Sequence, residues 1–126
     1  MMPVHMAQYA IGVDLGGTNL RAAAIDQSGK LLDRISGSTH FTEGREAVLA
    51  DMVSAIQKLR GRHGAAGLAG IGVGVPGFIR MKEGLITGSN NLPYFENFPV
   101  RDQISRRLDA GRVPRVGVTQ EEERTD

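Results

Sequence analysis

The chain has 126 residues, and its 15 lysine and arginine residues nearly balance its 14 aspartate and glutamate residues. This length allows one compact domain or part of a larger one, and the net charge of +1 gives no support to bulk electrostatic binding of nucleic acid or anionic lipid. The absence of cysteine excludes disulfides, thiolate zinc sites, iron–sulfur clusters and a cysteine nucleophile. No apolar run approaches the ~20 residues of a membrane helix, and no signal peptide is evident. We therefore expect a soluble, cytoplasmic protein.

The first third of the chain predicts three short strands joined by tight turns. Alternating apolar residues indicate a buried strand over Tyr9–Asp14, and two further strands are predicted over Leu20–Asp26 and Leu31–Ser38. The segment Asp26–Lys30 between the last two has the composition of a hairpin turn, with positive φ expected at Gly29. Strands connected this closely should pair antiparallel.

Two helices are predicted further along the chain. Apolar residues recur at helical spacing from Leu49 to Leu59, with Thr42 as the expected N-cap and Gly64 as the expected stop. A second helix is predicted over Pro99–Ala110, because proline suits the first turn and Gly111 can end the helix.

The remaining elements complete an α/β fold with a mixed sheet. Leu68–Val75 is predicted to be a small, apolar strand, followed by a hairpin that pairs Phe78–Arg80 with Leu85–Thr87. Val113–Val118 is the last predicted strand. Residues 119–126 are assigned to a polar tail, expected to be disordered or a truncation artefact. The three histidines are too scattered to suggest a metal site, and we expect them on the surface.

One glycine-rich segment has the form of a dinucleotide-binding motif. The run Gly72–Gly77 matches G-x-G-x-x-G, but that pattern indicates a dinucleotide site only when a helix opens directly after it. The following residues lack a helical apolar stripe, so we do not expect such a site. A P-loop is also absent.

The segment Asp14–Arg21 carries the most chemical information. The adjacent Gly16 and Gly17 allow successive backbone N–H groups to point into one concavity and bind an anion, with donors from Thr18 and Asn19 at its rim. Asp14 would then hold a hydrated Mg²⁺ against phosphate oxygens. A glycine-rich hairpin in which Asp14 caps the turn fits the same residues equally well.

These residues resemble the first phosphate motif of ROK-family sugar kinases, in particular the bacterial glucokinases. The resemblance extends through three ordered motifs, which are Asp14–Arg21, Gly72–Phe78 and the segment from Gly88 to Asp102. It implies an actin-like ATPase (ribonuclease H-like) fold in which three antiparallel strands come first and helices pack on a mixed sheet. Residues 1–118 would form the N-terminal lobe of such a kinase.

The resemblance also implies ligands and their residues. The cofactors would be ATP and Mg²⁺, with the phosphates held at Gly16, Gly17, Thr18 and Asn19 and the metal held by Asp14 through water molecules. The substrate would be a hexose, with glucose expected, bound by Pro76, Gly77 and Asn91. Turns without ligands remain the alternative at these three positions. The resemblance implies homo-oligomeric full-length relatives. From the near balance of charges and the lack of a long apolar run we expect no nucleic-acid or membrane partner.

The chain departs from the family after its last predicted strand. The family continues there into an Asn-Asp pair whose aspartate is the general base, and then into a second lobe with a zinc site in many members. Neither that pair nor a zinc site is present here, so we assign no catalytic residue and expect no turnover by the isolated chain. The alternatives are a non-catalytic, sugar-sensing regulatory module and an inert fragment.

Overall fold

A mixed five-stranded sheet forms the centre of the computed structural model, which describes residues 8–16, 19–76, 78–80, 85–88, 99–108 and 116–121. Its strands are β1 (Tyr9–Leu15), β2 (Asn19–Asp26), β3 (Leu31–Ser38), β4 (Leu68–Pro76) and β7 (Val116–Glu121). They lie in the order β3-β2-β1-β4-β7. The first three pair antiparallel, whereas β1, β4 and β7 pair parallel. The helices are α1 (Arg45–His63) and α2 (Val100–Arg107), and β5 (Phe78–Arg80) pairs antiparallel with β6 (Leu85–Gly88).

The opening three strands form the meander that the sequence predicts. Gly29 adopts φ of 89° in the turn between β2 and β3, a conformation that glycine tolerates without steric cost. The Asp26 carboxylate accepts hydrogen bonds from the Ser28 amide, the Ser28 hydroxyl and the Lys30 amide, at 2.7–2.9 Å. These bonds, led by the one from the Ser28 hydroxyl, lower the pKa of Asp26 below its usual value. The turn is therefore fixed by local hydrogen bonds.

Helix α1 ends where its sequence predicts but begins later. Gly64 follows its last turn with φ of 94° and donates its N–H to the Arg60 carbonyl at 2.8 Å. At the other end the N-cap is Gly44, not Thr42, and no side chain caps the helix. The predicted N-cap was wrong because a separate 3₁₀ turn over Phe41–Glu43 occupies this position, closed by the Glu43 amide donating to the His40 carbonyl.

The core lies between α1 and one face of the sheet. Side chains alternate along β1, so every second residue faces the helix, and its buried apolar residues are Tyr9, Ile11, Val13 and Leu15. The buried residues of α1 recur at helical spacing and are Val48, Leu49, Met52, Val53, Ala55, Ile56 and Leu59. This apolar packing positions the backbone of β1, whose carboxyl end leads into the glycine-rich turn.

The second half of the sheet is joined to α1 through α2. Arg60 donates to the Leu108 carbonyl at 3.5 Å, and Arg107 pairs with Glu46.

Strand β7 pairs with β4 from Ile71–Val116 to Pro76–Glu121, so residues 119–121, which the sequence assigned to the polar tail, belong to a strand. Their polarity did not prevent this, because strand pairing uses backbone groups that every non-proline residue carries. The mixed α/β fold expected from the sequence is confirmed.

Candidate functional site

The carboxyl ends of three parallel strands meet at one edge of the sheet. Asp14 of β1 lies in register with Gly74 of β4, and Gly74 lies in register with Thr119 of β7. Pro76 ends β4 beside Glu121, which ends β7. In open sheets with parallel strands, ligands bind outside the carboxyl ends of those strands. The structure therefore brings Asp14 and Pro76, predicted for different ligands and distant in the chain, to one candidate site.

The turn after β1 is closed by a backbone hydrogen bond. Gly16 donates its N–H to the Asn19 carbonyl at 2.8 Å, and a Cβ at Gly16 would lie 3.3 Å from that oxygen. Glycine is therefore the residue that fits this close approach. The sequence predicted that the Gly16 amide is one of the N–H groups available to an anion. In the structure this amide is not available, because it already donates to Asn19 within the turn.

Asp14 is half-buried on the sheet face opposite the helix, because Val13 and Leu15 on either side of it are buried in the core. Its antiparallel register partner is Arg21 of β2, so a carboxylate and a guanidinium group occupy opposite positions on adjacent strands. A single carboxylate is compatible with Mg²⁺, which keeps several water ligands and binds substrate phosphates through one or two carboxylates. Nowhere in the described ranges do three or more histidine, aspartate or glutamate residues gather as metal ligands.

The other predicted site residues are placed as follows. Asn19 begins β2, its side chain is exposed, and its carbonyl closes the turn. The predicted residues that lie outside the described part of the chain are Gly17, Thr18, Gly77 and Asn91. The contacts of these four with phosphate or sugar stay predictions.

Two histidine–aspartate pairs that the sequence did not predict connect the β3 region to α1. His40 Nδ1 lies 2.9 Å from the Asp51 carboxylate, and His63 Nε2 lies 3.0 Å from Asp33 Oδ2. Arg62 also pairs with Asp33, at 3.2 Å. No local pattern signals these pairs, because their members are 11 and 30 residues apart.

Burial is shallow for most charged groups, and their pKa shifts follow from hydrogen bonds. The hydrogen bond that His40 donates to the Asp51 carboxylate raises the pKa of His40, with smaller contributions from the charges of Asp51 and Glu43. The bond from His63, followed by those from the Arg34 amide and Arg62, lowers the pKa of Asp33.

Neither helix in the described part of the chain is long and apolar enough to cross a bilayer.

Comparison with known proteins connects this geometry to a family. The model of the ROK family matches residues 10–113. The chain is 32% identical over 99 residues to a glucokinase of Halalkalibacterium halodurans, an alignment that covers 77% of this chain and 30% of that relative. The chain thus spans about a third of the length of such relatives.

Solved structures give the same result. A ROK hexokinase from Thermus thermophilus has 28% identity and a TM-score of 0.72, with 90% of this chain and 35% of that chain covered. A ROK glucokinase from Streptomyces griseus, solved with glucose and AMPPNP, has 22% identity and a TM-score of 0.75 over 89% of this chain and 33% of that one. The family match spans most of the sequence, and the antiparallel meander followed by parallel strands is the fold shared with these structures. The chain belongs to the ROK family.

Proposed function

We propose that this chain supplies phosphate-binding and sugar-binding residues of an ATP-dependent hexose kinase, with glucose as the substrate. The observation that carries the proposal is the meeting of Asp14 and Pro76 at one edge of the parallel strands. Family membership supports it, as do the relatives named glucokinase. The S. griseus relative binds glucose and an ATP analogue together.

The proposed chemistry consists of positioning and charge neutralisation. Bound Mg²⁺ would neutralise charge on the nucleotide phosphates. Asp14 would hold that ion from the end of β1, while the turn from Gly16 through Asn19 would orient the phosphates with backbone and side-chain donors. Because the Gly16 amide is donated to Asn19, the proposal assigns the free phosphate-binding amides to Gly17 and Thr18.

Sugar binding is proposed at the neighbouring strand end. Pro76–Gly77 would form the floor of the pocket, and the amide of Asn91 would both donate to and accept from sugar hydroxyls. We assign no base to the attacking hydroxyl within this chain. The proposal is therefore of binding without turnover by these 126 residues alone.

Calorimetric titration tests this proposal. The purified chain is titrated with glucose and separately with Mg·AMPPNP, and we expect weak binding of each. Galactose serves as the matched sugar control, and Mg²⁺ with sulfate serves as the anion control. If the folded chain binds neither glucose nor the nucleotide, the proposed binding role is wrong.

A further inference from the structure

The connection between β3 and α1 is attached to the helix by one carboxylate. Asp51, on the second turn of α1, accepts the His40 backbone amide at 2.9 Å and lies 2.9 Å from His40 Nδ1 through both carboxylate oxygens. The same residue therefore holds the main chain and the side chain of His40. We refer to this arrangement as the His40–Asp51 clasp.

The connection beside the clasp contains a weak point. Thr39 is 7% exposed, and its hydroxyl oxygen is buried without a hydrogen-bond partner in the described structure. A buried, unsatisfied hydroxyl costs free energy that solvation would recover. If the connection opens, water can solvate the Thr39 hydroxyl, so Thr39 favours the open state. The clasp favours the closed state.

The strand before this connection receives little support from the core. Of the β3 side chains, Ile35 packs partly against the core, and most others are exposed. Ser38 at the end of β3 lies in register with Asn19, which closes the glycine-rich turn. The clasp therefore holds the strand end that borders this turn.

The pair of His63 with Asp33 differs from the His40–Asp51 clasp because an arginine also contacts its carboxylate. Asp33 is paired with Arg62 as well as with His63, and arginine stays charged at every pH at which the protein is folded. Asp33 therefore keeps a charged partner when His63 is neutral. In the described part of the chain, the charged groups that act on His40 are Asp51 of α1 and Glu43 of the 3₁₀ turn, and both are acidic.

We propose that the His40–Asp51 clasp is a proton-dependent device that holds the β3–α1 connection closed when His40 is charged and lets it open when His40 is neutral. When His40 is neutral, its Nδ1–H can still donate to the Asp51 carboxylate, but the attraction between opposite charges is lost and the bond is weaker. The proposal does not depend on sugar kinase activity. It concerns a conformational equilibrium of the chain itself.

Hydrogen exchange and histidine titration by NMR test the proposal on the 126-residue chain. Between pH 6 and 8, the opening of amides at residues 39–43 should increase by about 3- to 10-fold relative to buried amides of α1, after correction for intrinsic exchange. The Asp51→Asn variant keeps an acceptor but removes the charge. In this variant His40 should titrate at lower pH, and the pH dependence of opening should disappear.

Two further variants complete the test. His40→Gln should open equally at both pH values, whereas Asp33→Asn, the matched control, should leave the titration of His40 unchanged. Circular dichroism establishes that each variant is folded. The proposal is overturned if His40 titrates alike in the wild type and in Asp51→Asn, or if the pH dependence of opening persists in either His40→Gln or Asp51→Asn.

Discussion

At the residue scale, Gly12 and Gly16 differ in whether the local geometry requires glycine. A Cβ at Gly16 would lie 3.3 Å from the Asn19 carbonyl oxygen, whereas a Cβ at Gly12 would meet nothing within 4 Å. The first contact is with backbone that is held by a hydrogen bond and cannot move aside freely. The local geometry therefore favours glycine at Gly16 and does not require it at Gly12.

This difference predicts opposite results for two substitutions. Gly16→Val should distort the turn, lower the free energy of unfolding by about 1–3 kcal/mol and abolish any binding of Mg·AMPPNP. Gly12→Ala should be neutral or slightly stabilising, since alanine restricts the unfolded chain more than glycine does. Urea unfolding and nucleotide titration measure both effects. Equal nucleotide affinity in a folded Gly16→Val variant would contradict the role proposed for the turn.

Asp14 provides the second residue-scale prediction. If its carboxylate holds Mg²⁺, Asp14→Asn should weaken Mg·AMPPNP binding by about 10-fold or more while leaving glucose binding unchanged, since a charge-assisted contact is lost at one ligand only. Asp102→Asn, on the exposed surface of α2, is the matched control. A parallel loss of glucose affinity would indicate that Asp14 acts on the whole edge of the sheet rather than on the metal.

At the element scale, α1 contributes seven buried apolar residues to the core. Ile56 and Leu49 are completely buried, whereas Gln57 on the opposite face is exposed. Ile56→Ala should lower the free energy of unfolding by about 2–5 kcal/mol, because it removes apolar contacts and leaves a cavity. Gln57→Ala should change it by less than about 0.5 kcal/mol. Chemical denaturation of the two variants measures this contrast, and equal stabilities would contradict the packing of α1 on β1.

The stability that the Asp33 ion pairs give to the contact between β3 and the end of α1 should depend on pH. The pKa of Asp33 is lowered from 3.8, first by His63, then by the Arg34 amide and Arg62. A lowered pKa means that the folded state binds this proton less tightly than the unfolded state does. The contribution of Asp33 is therefore fully present above pH 3.8 and is lost as the pH falls through its folded-state pKa.

Comparison of Asp33→Asn with the wild type measures this contribution. Urea unfolding from pH 6 to pH 2.5 should show the variant less stable at pH 6, with the difference decreasing as the pH falls below 3.8. Asp102→Asn is again the control. A difference that does not change with pH would exclude the ion pairs of Asp33 as its cause.

At the scale of the whole molecule, we predict that the 126-residue chain alone binds its ligands without turnover. We expect no formation of glucose 6-phosphate above background by the 126-residue chain with glucose, ATP and Mg²⁺. General acid–base catalysis contributes about 10²–10⁴ in rate, and the chain lacks the Asn-Asp pair that the ROK resemblance implies. Enzyme-dependent formation of glucose 6-phosphate in a coupled assay would contradict this expectation and would make Glu121 the first residue to test as a base.

A chimera tests whether the ligand-binding half is competent. In it, the residues after Val118 are replaced by the corresponding end of the strand and the second lobe of the H. halodurans glucokinase. The chimera should phosphorylate glucose, and Asn91→Ala within it should weaken glucose use by about 1–3 kcal/mol because hydroxyls lose a partner. An inactive chimera that nevertheless binds both ligands would show that the part taken from this chain cannot support phosphorylation of glucose.

The sequence alone determined the elements whose signals are local. Alternation along Tyr9–Asp14, the apolar stripe of α1 and the turn at Gly29 each specify a periodicity or a backbone conformation within a few residues. The same patterns predicted the β5–β6 pairing and the mixed sheet. The motifs of the candidate site came from residue types and their order, which is why the family could be inferred before the fold.

Only the tertiary structure decided which residues are neighbours. The register of β1, β4 and β7 brings Asp14 and Pro76 to one edge and extends β7 to Glu121. The turn between β1 and β2 uses the Gly16 amide in a hydrogen bond of its own. The pairing of His40 with Asp51 likewise depends on how the β3–α1 connection folds back on the helix. Periodicity reports which face of an element is buried, whereas the register between strands depends on turn geometry and on packing between side chains that are distant in the chain.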